Sequence, residues 1–322
     1  MREIKNIAIL TSGGDSPGMN AAIRAVTRTC VHYNISCVGI FRGYNGLIEG
    51  DMMKMQVRTV SHILGRGGTV LKSARSEMFR TKEGREKAFE NIKKNKIDAL
   101  ITIGGNGTFT GAKIFHEEFG VPVIGIPGTI DNDLYGTDFT LGFDTATNTV
   151  VEAVDKIRDT ATSHNRLFFV EVMGRDSGFI ALRAGIAVGA IAVMLPEDEM
   201  SIEDLLAVLD QGAKAGRTSS IVIVAEGDVH GGAFGVAKQV AETNPEFDTR
   251  VTVLGHIQRG GRPSCMDRVL ASRMGVAAVE GLMEGRICEM VGVVDDLVKF
   301  TRLQEALDKK VVPKKTKRRI SK

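Results

Sequence analysis

Cysteine is scarce: Cys30, Cys37, Cys265 and Cys288 are the only four in 322 residues, and none has C-x-x-C spacing. That excludes a disulfide scaffold and a cysteine zinc site and leaves buried reduced thiols as the expectation. No apolar run approaches the roughly 18 residues of a membrane span, and the opening "MREIKNIAIL" carries no signal-peptide pattern. A cytoplasmic protein without membrane contact is expected. No Pro/Ser-rich linker divides the chain and no fixed-period repeat runs along it. A strong field of one sign is missing too: net charge is +3, the last fourteen residues hold eight Lys/Arg and no acid, and without them the body carries −5. Such a terminal run reads as a solvated, disordered end, so no nucleic-acid partner is expected.

Two nucleotide signatures are absent as well. "LKSAR" fails as a Walker loop because Leu71 stands where glycine must precede Lys72, and "GGNGTFTG" misses the G-x-G-x-x-G spacing.

What is present is an ordinary globular composition, 43% hydrophobic and 25% charged, in a chain long enough for one large α/β domain or two smaller ones. Apolar and β-branched runs recur from Asn6, Cys37, Asp98, Val121, Arg166, Ile191, Ser220 and Val251. Between most of them lie helix-length segments such as Ala21 to His32, Thr145 to Thr162, Ile202 to Ala215 and Arg268 to Glu284. The alternation predicts βαβ units and parallel sheets covered on both faces, with ligands at the carboxyl ends of strands. Ser201 with Asp204 three residues on predicts a helix N-cap.

The chemistry therefore belongs to the turns. "TSGGDSPGMNAA" follows the first run and contains a literal G-x-S-x-G, but Pro17 lacks the backbone N–H that a nucleophile elbow aims into its oxyanion hole. It reads better as a phosphate loop exposing N–H groups at Gly13 and Gly14, with Arg24 and Arg28 on the following helix. "IGGNGT" alone fits a ligand loop and a tight turn equally well, and its Asn106 stands where a metal-handling loop would carry a carboxylate. In "IPGTIDND", Asp131 and Asp133 suit a magnesium ion and a proton acceptor, or else an Asx turn. Arg166, Arg175, Arg250, His256, Arg259 and Arg262 lie around Gly-rich strand ends, where several cations together suit a ligand with more than one phosphate. Glu226, closing "IVIVAE", reads either as an acceptor for sugar hydroxyls or as an arginine's partner.

Taken in order, "LTSGGDSPGMNAAIR", "GGTVLKSAR", "IGGNGT", "PGTIDND", "VEVMGR" and "TVLGHIQRGG" closely resemble the bacterial-type ATP-dependent 6-phosphofructokinase family, from the first strand to about Lys299. The resemblance implies phosphorylation of the 1-hydroxyl of fructose 6-phosphate by ATP and Mg²⁺ in glycolysis. It implies two similar Rossmann-like α/β lobes with largely parallel sheets, the site in the cleft between them, and a homotetramer with shared active sites. The lobes expected are residues 1–142 with 255–305 for ATP, and 143–254 with 306–322 for fructose 6-phosphate.

Residue by residue, the resemblance implies Asp131 as catalytic base, with Thr129 beside it and Asp133 supporting sugar and metal. Arg75 and Arg175 would neutralise the transferring phosphoryl group. Gly13, Gly105, Asn106, Gly107 and Thr108 would cradle ATP, with Asn106 facing the metal where the family has aspartate. Met173, Gly174, Glu226, His256 and Arg259 match the sugar-phosphate site, and Arg166 and Arg250 the arginines that reach a neighbouring subunit's 6-phosphate. Pyrophosphate-dependent relatives carry aspartate in place of Gly107 and lysine in place of Gly128, so two glycines here imply room for the larger nucleotide. Arg24, Arg28 and Arg158 match a basic effector site, but Ile191 and Val57 replace its glutamate and an arginine, which implies a weak allosteric response. Asn106 keeps open the alternative of a catalytically weak regulatory subunit.

Overall fold

The computed structural model describes residues 4–164, 166–198, 200–216 and 220–313. The basic tail expected to be solvated lies, from residue 314 on, outside the described residues. The chain runs through β1 (Asn6–Thr11), α1 (Met19–His32), β2 (Ser36–Ile40), α2 (Tyr44–Glu49), β3 (Met52–Met55), α3 (Lys82–Lys94), β4 (Ala99–Gly104), α4 (Asn106–Phe119), β5 (Val123–Thr129) and β6 (Leu141–Gly142). It continues with α5 (Phe143–His164), β7 (Leu167–Val172), α6 (Phe179–Ala187), β8 (Ala192–Met194), α7 (Ile202–Lys214), β9 (Ser220–Ala225), α8 (Gly232–Thr243) and β10 (Thr249–Val253). It closes with α9 (Cys265–Met283), β11 (Glu289–Val294), β12 (Leu297–Arg302) and α10 (Leu303–Asp308). No helix among the described residues is long and apolar enough to cross a membrane.

Two compact units result. The first comprises the described parts of Met1–Ile130, Leu134–Ala146 and Arg259–Lys310; the second comprises those of Asp131–Asp133, Thr147–Gln258 and Val311–Lys322. Residues 131–133, 143–146, 255–258 and 306–310 fall in a different unit from the lobe expected for them, and contacts accompany the last three differences. Residues 143–146 stay with the first unit because the buried Asp267 carboxylate accepts from Gly142 N–H at 2.8 Å and Thr145 N–H at 2.9 Å. Leu303 and Ala306 of α10 are buried in the first unit's core. Residues 255–258 go with the second unit, where the buried Gln258 amide oxygen accepts from Met173 N–H at 3.2 Å.

The first unit's sheet has the order β12-β11-β5-β4-β1-β2-β3, with β6 paired to β5. Its pairs are parallel except at the edges, β2–β3 and β11–β12. Successive side chains of a strand point to opposite faces, and Ile7 and Ile9 accordingly join one core cluster with α1 and α9 while Ala8 and Leu10 join another with α4. The second unit's sheet, β10-β7-β9-β8, is parallel throughout. The Ser201 cap forms as expected, its hydroxyl accepting from Asp204 N–H at 3.0 Å.

The expectation of buried thiols holds for Cys30 and Cys37 and fails for the other two cysteines. Cys288 is partly buried, and Cys265 is exposed at the start of α9.

Candidate active site

In the first unit, two strand ends build one turn pair. Ser12 N–H donates to Ile103 O at 3.0 Å, which lays the turn after β1 against the end of β4. At Gly104 an added Cβ would stand 2.3 Å from Thr108 Oγ1 and 2.6 Å from Ser12 O, so only glycine fits. Thr108 is itself buried: its hydroxyl donates to Ser12 O at 3.1 Å and its carbonyl accepts from Tyr44 Oη at 2.6 Å. Burial pushes the Tyr44 phenol above its ordinary range, which keeps that donor protonated. Gly13 takes a left-handed φ of +85°, a backbone state that glycine adopts freely.

Packing thus fixes the turns, and the start of α4 is left open. Gly105 precedes that helix with no side-chain cap, Asn106 and Gly107 are exposed, and a Cβ on Gly107 would meet nothing within 4 Å. An uncapped N-terminus of a 14-residue helix is a ready site for an anion. Arg75 is exposed at the end of a segment tied to the same turn, with Ser73 Oγ donating to Gly13 O at 2.6 Å. Arg259 also joins this region, donating from Nη1 to Asp15 O at 3.1 Å. Thr129 ends β5 buried, its carbonyl accepting from Thr140 Oγ1 at 2.5 Å.

In the second unit the acidic turn and the Met173–Arg175 turn are held by polar side chains. Asp131 is buried and its carbonyl accepts from Ser177 Oγ at 2.9 Å; Asn132 is buried with φ +52°, and Asp133 is partly exposed. Glu226 engages backbone, a partner that neither sequence reading named. Its Oε1 accepts from Gly174 N–H at 3.1 Å and Arg175 N–H at 2.6 Å, so one carboxylate oxygen holds the turn. Arg175 adopts φ +52° and its side chain is exposed. Gln258 ties Met173 to the turn carrying His256, donating to Gly255 O at 3.0 Å, and His256 is exposed.

Parallel pairing of β7 with β10 places Arg166 and Arg250 on one carboxylate. Arg166 Nε lies 3.1 Å from Asp248 Oδ2, and Arg250 pairs with the other oxygen. Sequence reasoning missed Ser177, Gln258 and Asp248, because a partner's identity depends on long-range pairing.

The phosphofructokinase family model matches residues 6–282. The chain belongs to the phosphofructokinase family. It is 53% identical over 307 residues to the ATP-dependent 6-phosphofructokinase 2 of Bacteroides thetaiotaomicron, covering 95% of this chain and 94% of the relative. It is equally 53% identical to the ATP-dependent 6-phosphofructokinase 1 of Thermus thermophilus, with 95% of each covered. Among solved structures, phosphofructokinase from Saccharomyces cerevisiae superposes with a TM-score of 0.90 at 38% identity, covering 94% of this chain. The chain spans 45% of that yeast chain's length. A pyrophosphate-dependent phosphofructokinase from Marinobacter aquaeolei has a TM-score of 0.85 at 24% identity, which speaks to fold alone.

Within the phosphofructokinase frame one expectation changes. Gly107 does leave open space, but a Cβ on Gly128 would stand 2.9 Å from Ile103 Cγ2 and 3.2 Å from Met19 Cε. Core packing therefore calls for glycine at position 128, whatever it leaves for a nucleotide. Of the effector matches, Arg24 and Arg28 lie one turn apart on α1, and Arg158 on α5 donates to Val188 O at the end of α6. A separate cavity of about 520 Å³ in the first unit is lined by Lys113, His116, Glu117, Arg286 and Cys288 among others, none of them among the site residues that the resemblance implies.

Proposed function

We propose that Asp131 acts as general base in the ATP-dependent phosphorylation of fructose 6-phosphate, the activity borne in the names of relatives that match 95% of the chain. That chain-long identity is the observation that carries the reading. Asp131 takes the proton from the 1-hydroxyl as the hydroxyl oxygen attacks the γ-phosphorus and the bond to the ADP leaving oxygen breaks. Thr129 orients the attack beside it. Gly13, Gly105, Asn106, Gly107 and Thr108 cradle ATP, chiefly through backbone at an uncapped helix start. Arg75 and Arg175 offset the charge of the transferring phosphoryl, and Asp133, Met173, Gly174, Glu226, His256 and Arg259 hold the sugar phosphate. Glu226 Oε1 is engaged with backbone N–H groups, and its other oxygen is assigned to a sugar hydroxyl.

Mg²⁺ fits this donor set. Among the described residues no three His, Cys, Asp or Glu side chains gather into a cage, and Mg²⁺ characteristically takes one or two carboxylates with substrate phosphates. Asn106, Asp131 and Asp133 would supply the protein oxygens, and the ion would offset charge on the phosphates. The further reading is a cytoplasmic homotetramer in which Arg166 and Arg250 serve a neighbouring protomer's 6-phosphate, with a weak response at Arg24, Arg28 and Arg158 because Ile191 and Val57 bring no charge. ATP is the donor over pyrophosphate because Gly107 faces open space.

Steady-state kinetics of Asp131→Asn test the assignment. Loss of a base acting in the transition state should lower kcat by about 10²- to 10⁴-fold, with both KM values within a few-fold of the parent. A folded variant with near-normal kcat would overturn it.

A further inference from the structure

Residues 56–77 contain no strand and no α-helix, a length of irregular chain that is uncommon inside a compact domain. The segment ends near Arg75, so something must hold it. Its backbone and side chains find partners on β1, on the turn after β1 and on α1. Thr11 Oγ1 donates to Lys72 O at 2.8 Å, and Ser73 Oγ donates to Gly13 O at 2.6 Å. The densest contact comes from Asn20, in the first turn of α1 and 1% exposed. Its Nδ2 donates to Arg66 O and to Gly67 O, both at 3.1 Å, and its Oδ1 accepts from Val70 N–H at 2.7 Å. One buried amide thus uses both donors and an acceptor on three backbone groups of a single loop.

We infer that Asn20 is a positioning residue for ATP: it sets the 66–75 loop, and through that loop Arg75 and the carbonyl side of Gly13, in the conformation that meets the phosphates. The inference rests on the assignment of Arg75 and Gly13 to ATP made above. The demand on residue 20 is specific, since aspartate matches asparagine in shape but supplies no donor to the Arg66 and Gly67 carbonyls. Leucine or alanine supplies neither donor nor acceptor.

The test is Asn20→Asp in the full chain, with Arg75→Ala and Ser73→Ala measured beside it. The readouts are KM for ATP, KM for fructose 6-phosphate, and amide hydrogen exchange of residues 66–75. Asn20→Asp should raise the ATP KM at least tenfold, leave the fructose 6-phosphate KM within twofold, and speed exchange selectively in 66–75. Ser73→Ala, which cuts a tie nearer Arg75, should do the same with a smaller, about threefold, rise in ATP KM. Where Asn20→Asp does not fold, the Ser73→Ala result decides. Equal rises in both KM values, or an ATP KM unchanged in these variants, would overturn the inference while a raised ATP KM in Arg75→Ala leaves the assignment of Arg75 standing. An unchanged ATP KM in Arg75→Ala would instead defeat that assignment and this inference with it.

Discussion

The two units fix the turns that we propose as ligand sites by opposite means. In the first, the turn at Gly104–Thr108 is fixed by steric fit, with Thr108 buried beneath it, and no side chain caps the helix it opens. In the second, the Met173–Arg175 turn is fixed by a carboxylate, since Glu226 takes the N–H groups of Gly174 and Arg175 and leaves the Arg175 guanidinium exposed. The first turn presents backbone, and the second presents the Arg175 side chain. A backbone cradle suits the shared diphosphate geometry of a nucleotide, whereas side chains of both signs can distinguish one sugar phosphate from another.

The contrast predicts asymmetric sensitivity. The largest effect is expected in the second unit: Glu226→Ala removes a charged acceptor from two N–H groups, a contribution of about 1.5–3 kcal/mol. The value of kcat/KM for fructose 6-phosphate should fall about tenfold to a hundredfold, with the ATP KM unchanged; an equal loss toward both substrates would erase the distinction between units. Next is Gly107→Asp, which places a carboxylate in open space at the start of α4. A negative charge there favours the helix dipole, so thermal stability should hold or rise while the ATP KM increases about tenfold. A drop in melting temperature with unchanged ATP kinetics would show that this helix end is structural. The smallest effect is expected for Asn106→Asp, which puts a carboxylate where we propose that an amide oxygen meets the metal. The free Mg²⁺ needed for half-maximal rate should fall about two- to fivefold, and superimposable titrations would remove Asn106 from the metal's surroundings.

Much of this architecture can be read along the chain, and the failures have physical causes. The β-branched runs at Asn6, Asp98, Val121 and Ser220 became central parallel strands because a sheet covered on both faces needs continuous apolar sequence. β3, "MMKM", and β12, "LVKFTR", escaped notice because they are antiparallel edge strands with one buried residue each, whereas β11 lies inside the sheet and its buried run from Met290 to Val293 was overlooked. β6 has two residues and exists through its pairing with β5. At the site, residue positions at strand ends were legible and their partners were not. Glu226 turned to backbone, Arg259 to Asp15 O, and Arg166 with Arg250 to Asp248, all through contacts that close only on folding. Gly128 is the instructive exception. Ile124 and Ile126 face the core cluster of α1 and α9, and a period of two puts residue 128 on the same side. Strand parity alone thus accounts for the close packing at Gly128.

The central claim is that this chain, by itself, moves a phosphoryl group from ATP to fructose 6-phosphate. The direct measurement is formation of fructose 1,6-bisphosphate by the purified protein, with ATP or pyrophosphate as donor, across a magnesium titration. The account predicts turnover with ATP that climbs with free magnesium, and a rate with pyrophosphate lower by about two orders of magnitude or more, an open Gly107 being built for the larger donor. Product formed equally well from pyrophosphate would contradict the donor assignment, and no product from ATP at any magnesium concentration would contradict the claim of catalysis and leave the chain as a regulatory subunit.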